Sequence, residues 1–548
     1  MILKTKVYHI LQSAGQWIFI FLSLTFVLQC LRLMLGLPGA AFTPIIAALI
    51  TMTWTHAQLK FSWVSDALAM GLIVTAALTC DYYYDLSFDG QWYHQDAIIL
   101  LNEGWNPFWD APIAHSVASG LNADYVNHYA KAAWLTAQAF YDLLPWIQMS
   151  KMANLLWVFA SFLITMGGLF RWTQRPFVAV IIALLLAASP AAVGQSLSFY
   201  VDGQLYSLML ILAILLADVF IDGYSTIRWT GIILAFVYLS NLKFTGLIYG
   251  VLMMGLLVIA VAIKNKPALF KTMVISGLTI ILGVGVFGAC TYVRNIREKG
   301  HPFYPLMGEN NEGKHIAEVQ YPKNFFDKNR FEKWNLATFS YPTYTSPDTH
   351  PSRPKTLFRW KNIRESFPYY QLHQPMVIGA LGPFSAEVIL LLLPLLGILL
   401  YRHFKGVFPW VLLGLIAIVI VQPEFWNYRY APHALFVLGW ILLFGLLDTN
   451  RWIQRYTLIL VVGFIANFAI CGLEYAKWNQ AGSRAIHAEK KQLQHQSLYI
   501  KKGWIRSMDI RMKEWGIQQL SFPNDNKNIA WKSFASDGMS GWQYTFVP

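Results

Sequence analysis

Long apolar segments alternate with short polar ones along most of the chain. They fall near 13–36, 38–54, 63–80, 152–170, 177–193, 204–221, 229–242, 245–263, 272–290, 383–401, 408–422, 432–447 and 456–474. Since a helix needs about 20 mainly apolar residues to cross a bilayer, this pattern predicts an α-helical polytopic membrane protein with about 13 transmembrane helices. The first segment reads as an uncleaved span, although Pro38 and Gly39 also allow a re-entrant hairpin over the first two segments.

Basic residues between these segments predict the orientation. With a cytoplasmic N-terminus, the short loops that contain Lys60, Arg171, Arg228, Lys264, Arg402 and Arg451 all lie inside. The resulting organisation is transmembrane helices in 1–80, 151–290 and 381–474, and extracytoplasmic segments in 81–150, 291–380 and 475–548. We expect amphipathic helices in the first outer segment and a small α/β region in the last. Short inner loops with long outer ones place the chemistry at the outer membrane surface.

Composition excludes a soluble cytosolic enzyme. The chain of 548 residues is 56% hydrophobic and 13% charged, with a mean hydropathy of +0.42. The formal net charge of +13 comes largely from segments beside apolar spans and does not predict a nucleic-acid partner. Four cysteines at positions 30, 80, 290 and 471 lack the spacing of a zinc site or a disulfide framework.

The third apolar segment is followed directly by a group of carboxylates. The chain reads Asp81-Tyr-Tyr-Tyr-Asp85-Leu-Ser-Phe-Asp89-Gly-Gln-Trp-Tyr93-His94-Gln-Asp96. Spacings of four and seven allow Asp85, Asp89 and Asp96 to share one helical face near His94, which favours a chemical role. The alternative is that Asp89 caps a helix and that the aromatic residues, Tyr93 included, form an interfacial belt. His128, further along, opens an amphipathic stretch and also suits a solvated polar face.

Further polar residues are predicted at the outer ends of later segments. Asp202 begins a helix, where it either caps the helix or serves in a site. Lys243 breaks two apolar segments and needs either a partner or an anionic ligand. Arg294, with the proline-fixed turn at Tyr304, suits a phosphate. Arg429 suits the same ligand, or else extends to lipid headgroups.

These residues together resemble the GT-C superfamily of polytopic glycosyltransferases, which use polyprenyl-phosphate sugars. The resemblance rests on Asp89 to His94, on Lys-Phe-Thr-Gly at 243–246, on the Arg-Asn…Gly-x-Pro-Phe-Tyr-Pro-Leu turn at 294–306, and on Trp…Arg-Tyr at 426–430. Within this superfamily, the chain is similar to the group of protein O-mannosyltransferases and aminoarabinose transferases. The resemblance covers most of residues 60–450. The chain has Asp85-x-x-x-Asp89 in place of the strict Asp-x-Asp of the superfamily, so both aspartates stay candidates.

The resemblance implies inverting sugar transfer from a polyprenyl-phosphate donor to a glycolipid, glycan or protein outside the bacterial inner membrane. Asp89 is then the general base, with Asp85 and His94 as further catalytic residues. Lys243, Arg294, Arg429, Tyr93, His128, Tyr304 and Asp202 bind substrate, and a divalent metal is a candidate cofactor. The alternatives are an O-antigen ligase or polymerase, a flippase or transporter, and a non-catalytic scaffold in envelope assembly.

Overall fold

The computed structural model describes residues 2–60, 62–114, 121–309, 323–325, 327–341, 343–344, 353–370, 377–378, 381–503, 505–520, 531–535 and 541–546. Eight helices in these ranges are long and apolar enough to cross a bilayer. They are Lys6–Met34, Trp63–Tyr82, Ile147–Thr173, Asp202–Asp222, Phe244–Lys264, Lys266–Val286, Ser385–His403 and Arg451–Leu493. The predicted α-helical membrane class is confirmed at this level.

Five of the predicted spans form shorter helices. They are Phe42–Trp54, Pro176–Ala187, Thr226–Ser240, Val407–Val421 and Ala434–Leu447. At about 1.5 Å per residue, helices of this length are shorter than the hydrocarbon core of about 30 Å. The structure therefore places a helix in each predicted segment without giving each one the length of a full span.

Large apolar side chains remain exposed on the outside of the helical bundle. Ile263, Phe270, Leu278 and Ile459 are 80%, 77%, 54% and 67% exposed, respectively. A soluble domain rarely leaves so many large apolar side chains in water, whereas lipid tails solvate them without cost. Their exposure agrees with the α-helical membrane class.

The described residues of 81–150, the predicted first outer segment, form a series of short helices against the bundle. A π-helical turn, Gly90–His94, continues into Gln95–Asn102, and Leu121–His128 and Ala132–Leu143 follow. The expectation of surface-lying amphipathic helices is wrong for Ala132–Leu143, because its residues from Ala132 to Phe140 are all buried.

Of the second outer segment, the structure describes the helices Arg294–Lys299, Arg330–Phe339 and Trp360–Glu365 and the two-residue strands Thr343–Tyr344 and Val377–Ile378. Within 291–380, residues 310–322, 326, 342, 345–352, 371–376 and 379–380 lie outside the described residues.

The last long helix, Arg451–Leu493, extends well beyond its predicted apolar segment and leads into the C-terminal region. There a four-stranded sheet forms: Ser497–Lys501 pairs in parallel with Gln518–Leu520 and antiparallel with Gln543–Phe546, which also pairs with Lys532–Ser533. Helix Ser507–Glu514 connects the two parallel strands. A separate apolar core under this sheet includes Tyr84 of the first outer segment, so the C-terminal region packs on that segment.

Candidate functional site

Four charged side chains from distant parts of the chain meet at one place. Arg429 donates through Nε to Asp202 Oδ2 at 2.8 Å and through Nη2 to Asp89 Oδ2, also at 2.8 Å. Lys243 donates through Nζ to Asp202 Oδ1. We call Asp89, Asp202, Lys243 and Arg429 the ion cluster. Its two carboxylates and two cations balance in formal charge, which lets the group stay partly buried.

Three members of the ion cluster lie at helix ends, and the fourth, Arg429, lies in a loop. Asp202 is the first residue of Asp202–Asp222, and Lys243 directly precedes Phe244–Lys264. Asp89 directly precedes the π-helical turn, and Arg429 lies in the turn before Ala434–Leu447. Polar residues gather there because a helix interior in lipid has no place for an unpaired charge.

Hydrogen bonds with Gln195 and Asn427 fix Asp202 and Arg429 in the ion cluster. Gln195 donates through Nε2 to Asp202 Oδ2 at 3.1 Å and accepts the Gly203 amide through Oε1 at 2.8 Å. The Arg429 amide donates to Asn427 Oδ1 at 3.0 Å, which shapes the turn that carries the guanidinium. Asp202 is consequently held on every side by donors.

The two carboxylates differ in access. The Asp202 side chain is 0% exposed, whereas the side chains of Asp89, Arg429 and Lys243 are 17%, 15% and 21% exposed. Burial lowers the pKa of Arg429, but attraction by Asp202 and Asp89 outweighs burial and leaves that pKa above its usual range. Asp89 is therefore the carboxylate of the ion cluster that a substrate can reach.

Neither aspartate serves as a helix cap. The Asp89 side chain makes no capping hydrogen bond to the described residues that follow it. Asp202 is the first helical residue, with Val201 in the cap position. The capping alternative is thus wrong at both positions, since both carboxylates face cations. Lys243 pairs with Asp202, so of the two alternatives for this lysine, a partner or an anionic ligand, the structure shows a partner.

Asp85 has a structural position. It is wholly buried, and its carboxylate accepts the amides of Ser87 at 2.8 Å and Phe199 at 3.0 Å. Burial raises its pKa, and hydrogen bonds from Ser87 offset part of this effect. The expectation of a helical face shared with Asp89 is wrong, because residues 84–87 are not helical. Asp85 instead ties the start of the outer segment to the loop at Phe199.

Gly90 links Asp85 to Asp89 through close packing. A Cβ atom at Gly90 would collide with Asp85 Oδ2 and Ser87 Oγ. We predict that Gly90→Ala displaces Asp89 and lowers the rate of any reaction that uses the Asp89 carboxylate at least about tenfold, because catalysis is sensitive to a shift of about 1 Å. The control is Gly71→Ala, where the added methyl group meets no atom within 4 Å. Equal activity of the two variants, at equal abundance in the membrane, would contradict the prediction.

Tyr93 and His94 form an aromatic wall beside the ion cluster. The Tyr93 ring lies 4.2 Å from His94, 5.2 Å from Tyr125 and 5.9 Å from Tyr129, between ring centroids. Trp134 Nε1 donates to His94 Nδ1 at 2.7 Å, so the neutral imidazole carries its proton on Nε2. Burial lowers the pKa of His94 to about 3. At neutral pH the His94 ring is therefore uncharged, and its Nε2 has no hydrogen-bond partner among the described residues.

Arg294, His128 and Tyr304 belong to a second group. Arg294 donates to the carbonyl oxygens of Pro107 at 2.9 Å and Asp110 at 2.6 Å, and also pairs with Glu298 at 3.0 Å.

His128 completes this group. Its Nδ1 lies 2.8 Å from Asn295 Oδ1, and its ring packs edge-on against Tyr304 at 4.9 Å. Burial lowers the pKa of His128 to about 4. These contacts anchor the two outer segments to each other, and the guanidinium of Arg294 is directed to backbone carbonyl oxygens.

Glu424 is a further carboxylate at the site that the sequence analysis did not single out. It is half-buried in the loop that carries Arg429, where its carbonyl oxygen accepts the Asn427 amide at 2.9 Å. Burial raises its pKa to about 7, although the nearby charge of Lys243 lowers it in part. The available signal was its place two residues before Trp426, in a short polar loop between two apolar segments.

The described residues do not fit a divalent metal at the ion cluster. Among them, no group of three or more His, Cys, Asp and Glu side chains is arranged to hold a metal ion. The carboxylates of Asp89 and Asp202 face Arg429 and Lys243, whose positive charges oppose a further cation.

Comparisons with protein-family models, with curated proteins and with solved structures gave no match to this chain. The site itself therefore carries the evidence for function. Its distinguishing feature is an accessible carboxylate that shares one guanidinium with a fully buried carboxylate.

Proposed function

We propose that the protein is an integral membrane glycosyltransferase of the GT-C type, which moves a sugar from a polyprenyl-phosphate donor to an extracytoplasmic glycolipid, glycan or protein. The observation that carries the proposal is the ion cluster, in which the partly exposed carboxylate of Asp89 pairs with Arg429, while Lys243 pairs with the neighbouring Asp202. Such a pairing supplies a base for the acceptor and positive charge for a phosphate in one place.

In the proposed reaction, an acceptor hydroxyl attacks the anomeric carbon of the donor sugar. The Asp89 carboxylate takes the hydroxyl proton as the new carbon–oxygen bond forms. The bond between the anomeric carbon and the phosphate oxygen breaks, and the polyprenyl phosphate leaves with the electron pair. Arg429 and Lys243 stabilise the negative charge that grows on the phosphate. A single displacement of this kind inverts the anomeric configuration.

The proposal includes an orientation with the ion cluster on the outer face of a bacterial inner membrane. The helices Asp202–Asp222, Thr226–Ser240 and Phe244–Lys264 follow one another with short connections. In an alternating topology, the first and third of these begin on the same side, which is where Asp202 and Lys243 lie. Thirteen crossings from a cytoplasmic N-terminus also leave the C-terminal region outside, in agreement with its packing on the first outer segment.

The raised pKa of Glu424 predicts that donor binding depends on pH. Its carboxyl, with a pKa of about 7, is mainly neutral below that pH and ionised above it. Ionisation adds a negative charge near Lys243, so the KM for the anionic donor should rise as the pH increases from 6 to 8.5. Glu424→Gln should flatten this rise, whereas Glu365→Gln, an exposed control, should keep it. A rise that persists in Glu424→Gln would assign it to another group.

The proposal is tested by mass spectrometry of envelope glycolipids, glycans and glycoproteins from cells with and without the gene. Purified protein in vesicles is then supplied with a polyprenyl-phosphate hexose and the unmodified acceptor fraction. The expected result is a sugar that is missing after deletion and restored by the purified protein. Restoration only with a polyprenyl-diphosphate glycan would indicate a ligase or polymerase. Build-up of the donor on the inner leaflet would indicate a flippase.

A further inference from the structure

A cavity of about 390 Å³ lies where the C-terminal region meets the first outer segment. Its polar lining comes from Glu103 on one side and from Lys502, Arg506, Asp509, Lys513 and Gln519 on the other. We call this cavity the junction cleft. Its volume lies in the usual range for small-molecule sites, about 300–1,000 Å³, and the proposed transfer reaction does not use it.

Specific contacts hold the two walls of the junction cleft together. Arg506 Nη2 donates to Glu103 Oε2 at 2.8 Å, and Arg506 Nη1 lies 3.5 Å from the buried Asp96 Oδ1. Ser507 Oγ donates to the Gln91 carbonyl oxygen at 3.4 Å. These contacts seat the C-terminal region along the helical stretch that runs from Gln91 to Glu103. The cleft therefore exists only when the C-terminal region is docked.

The lining favours an anionic ligand with several hydroxyl groups. Lys502 pairs with Asp509 at 2.9 Å, and Gln519 donates to the same carboxylate at 3.3 Å. Arg506 is occupied by Glu103 and Asp96, whereas the exposed Lys513 has no ion-pair partner among the residues that the structure describes. With Asp96 behind Arg506 included, three cations meet three carboxylates, and Lys513 is the cation that remains for an anionic ligand. Alternating donors and acceptors match sugar hydroxyls, and the side chains of Ile99 and Ile510 add an apolar wall.

The junction cleft and Asp89 occupy opposite ends of one helical stretch. Asp89 precedes Gly90–His94, and the cleft begins at Ile99, so the two are roughly 15 Å apart at a rise of about 1.5 Å per residue. We propose that the junction cleft is an acceptor subsite, which binds a carboxylated or phosphorylated sugar unit of the acceptor while a neighbouring unit reaches Asp89. The identification of the bound sugar as the acceptor rests on the proposed function, whereas binding of an anionic sugar in the cleft does not require transfer.

Binding to the full-length protein in detergent tests the proposal directly. The probes are an oligosaccharide of glucuronic acid, a hexose phosphate, their neutral parent sugars and inorganic phosphate. We expect an anionic sugar to bind, and we expect Lys513→Gln to weaken its binding about tenfold, because one charge-assisted contact is lost. Lys491→Gln, which removes an exposed lysine from the last long helix, should leave binding unchanged.

The two anionic probes distinguish a carboxylated from a phosphorylated acceptor. The proposal is overturned if neither anionic sugar binds, if Lys513→Gln binds as the wild type does, or if inorganic phosphate or the neutral sugars bind as tightly. Binding with the expected Lys513 dependence, together with no transfer from any polyprenyl-phosphate sugar, would keep the sugar site and reject the proposed function. Transfer without probe binding would keep the function and reject the subsite.

Discussion

Replacement of Asp89 by asparagine is expected to lower the rate of sugar transfer about 100- to 10,000-fold, the usual contribution of general base catalysis. Asparagine has nearly the same shape as aspartate but cannot accept the acceptor proton. Arg429 keeps its contact with Asp202 in this variant, so the fold should be little changed. The rate is measured in vesicles with a polyprenyl-phosphate hexose, and the unfolding temperature is measured in detergent.

Asp81→Asn is the matched control for this substitution. Asp81 lies on the same stretch of chain, is exposed, and precedes the residues that form the ion cluster. We expect it to retain transfer. Full transfer by Asp89→Asn at equal abundance would show that Asp89 is not the base, and the half-buried Glu424 would then be the next carboxylate to test.

Replacement of Asp202 by asparagine is expected to destabilise the protein as well as inactivate it. The Asp202 carboxylate is fully buried between Lys243 and Arg429, and its loss leaves two cations close together without their shared partner. Removing one member of a buried ion pair typically costs about 3–5 kcal/mol. Thermal unfolding in detergent should therefore occur at a clearly lower temperature than for the wild type.

The control is Asp222→Asn, at the other end of the same helix. Asp222 pairs with Arg228 at 2.9 Å, and its side chain is 37% exposed. Exposed pairs contribute at most about 1 kcal/mol, so this variant should unfold close to the wild type. Similar unfolding temperatures for Asp202→Asn and Asp222→Asn would show that the ion cluster does not stabilise the fold. A stable but inactive Asp89→Asn variant, together with an unstable Asp202→Asn variant, would show that Asp89 serves catalysis and that Asp202 stabilises the fold.

The residues of the ion cluster could all be named from the sequence, and the physical reason is simple. Asp89, Asp202, Lys243 and Arg429 are charged side chains at the ends of apolar segments, where each requires a partner or a ligand. The sequence did not show that they are partners of one another. It also did not distinguish Asp85, which binds backbone amides, from Asp89, which faces a cation.

Glu424 and the junction cleft are two features of the structure that the sequence does not reveal. A single glutamate in a polar loop has no periodic pattern, and its raised pKa comes from burial that the sequence does not display. The cleft joins Glu103 to Arg506 across the length of the chain, so no local pattern contains it.

The sequence by itself determined the class of this protein, its helical segments and the residues that are costly to place in lipid. These follow from hydrophobicity and charge, which are properties of short stretches of chain. Only the tertiary structure decided which charges neutralise one another and which carboxylate stays open to a substrate. Arg429 and Asp89 are 340 residues apart in the chain but 2.8 Å apart in space, and such a pairing depends on how the helices pack.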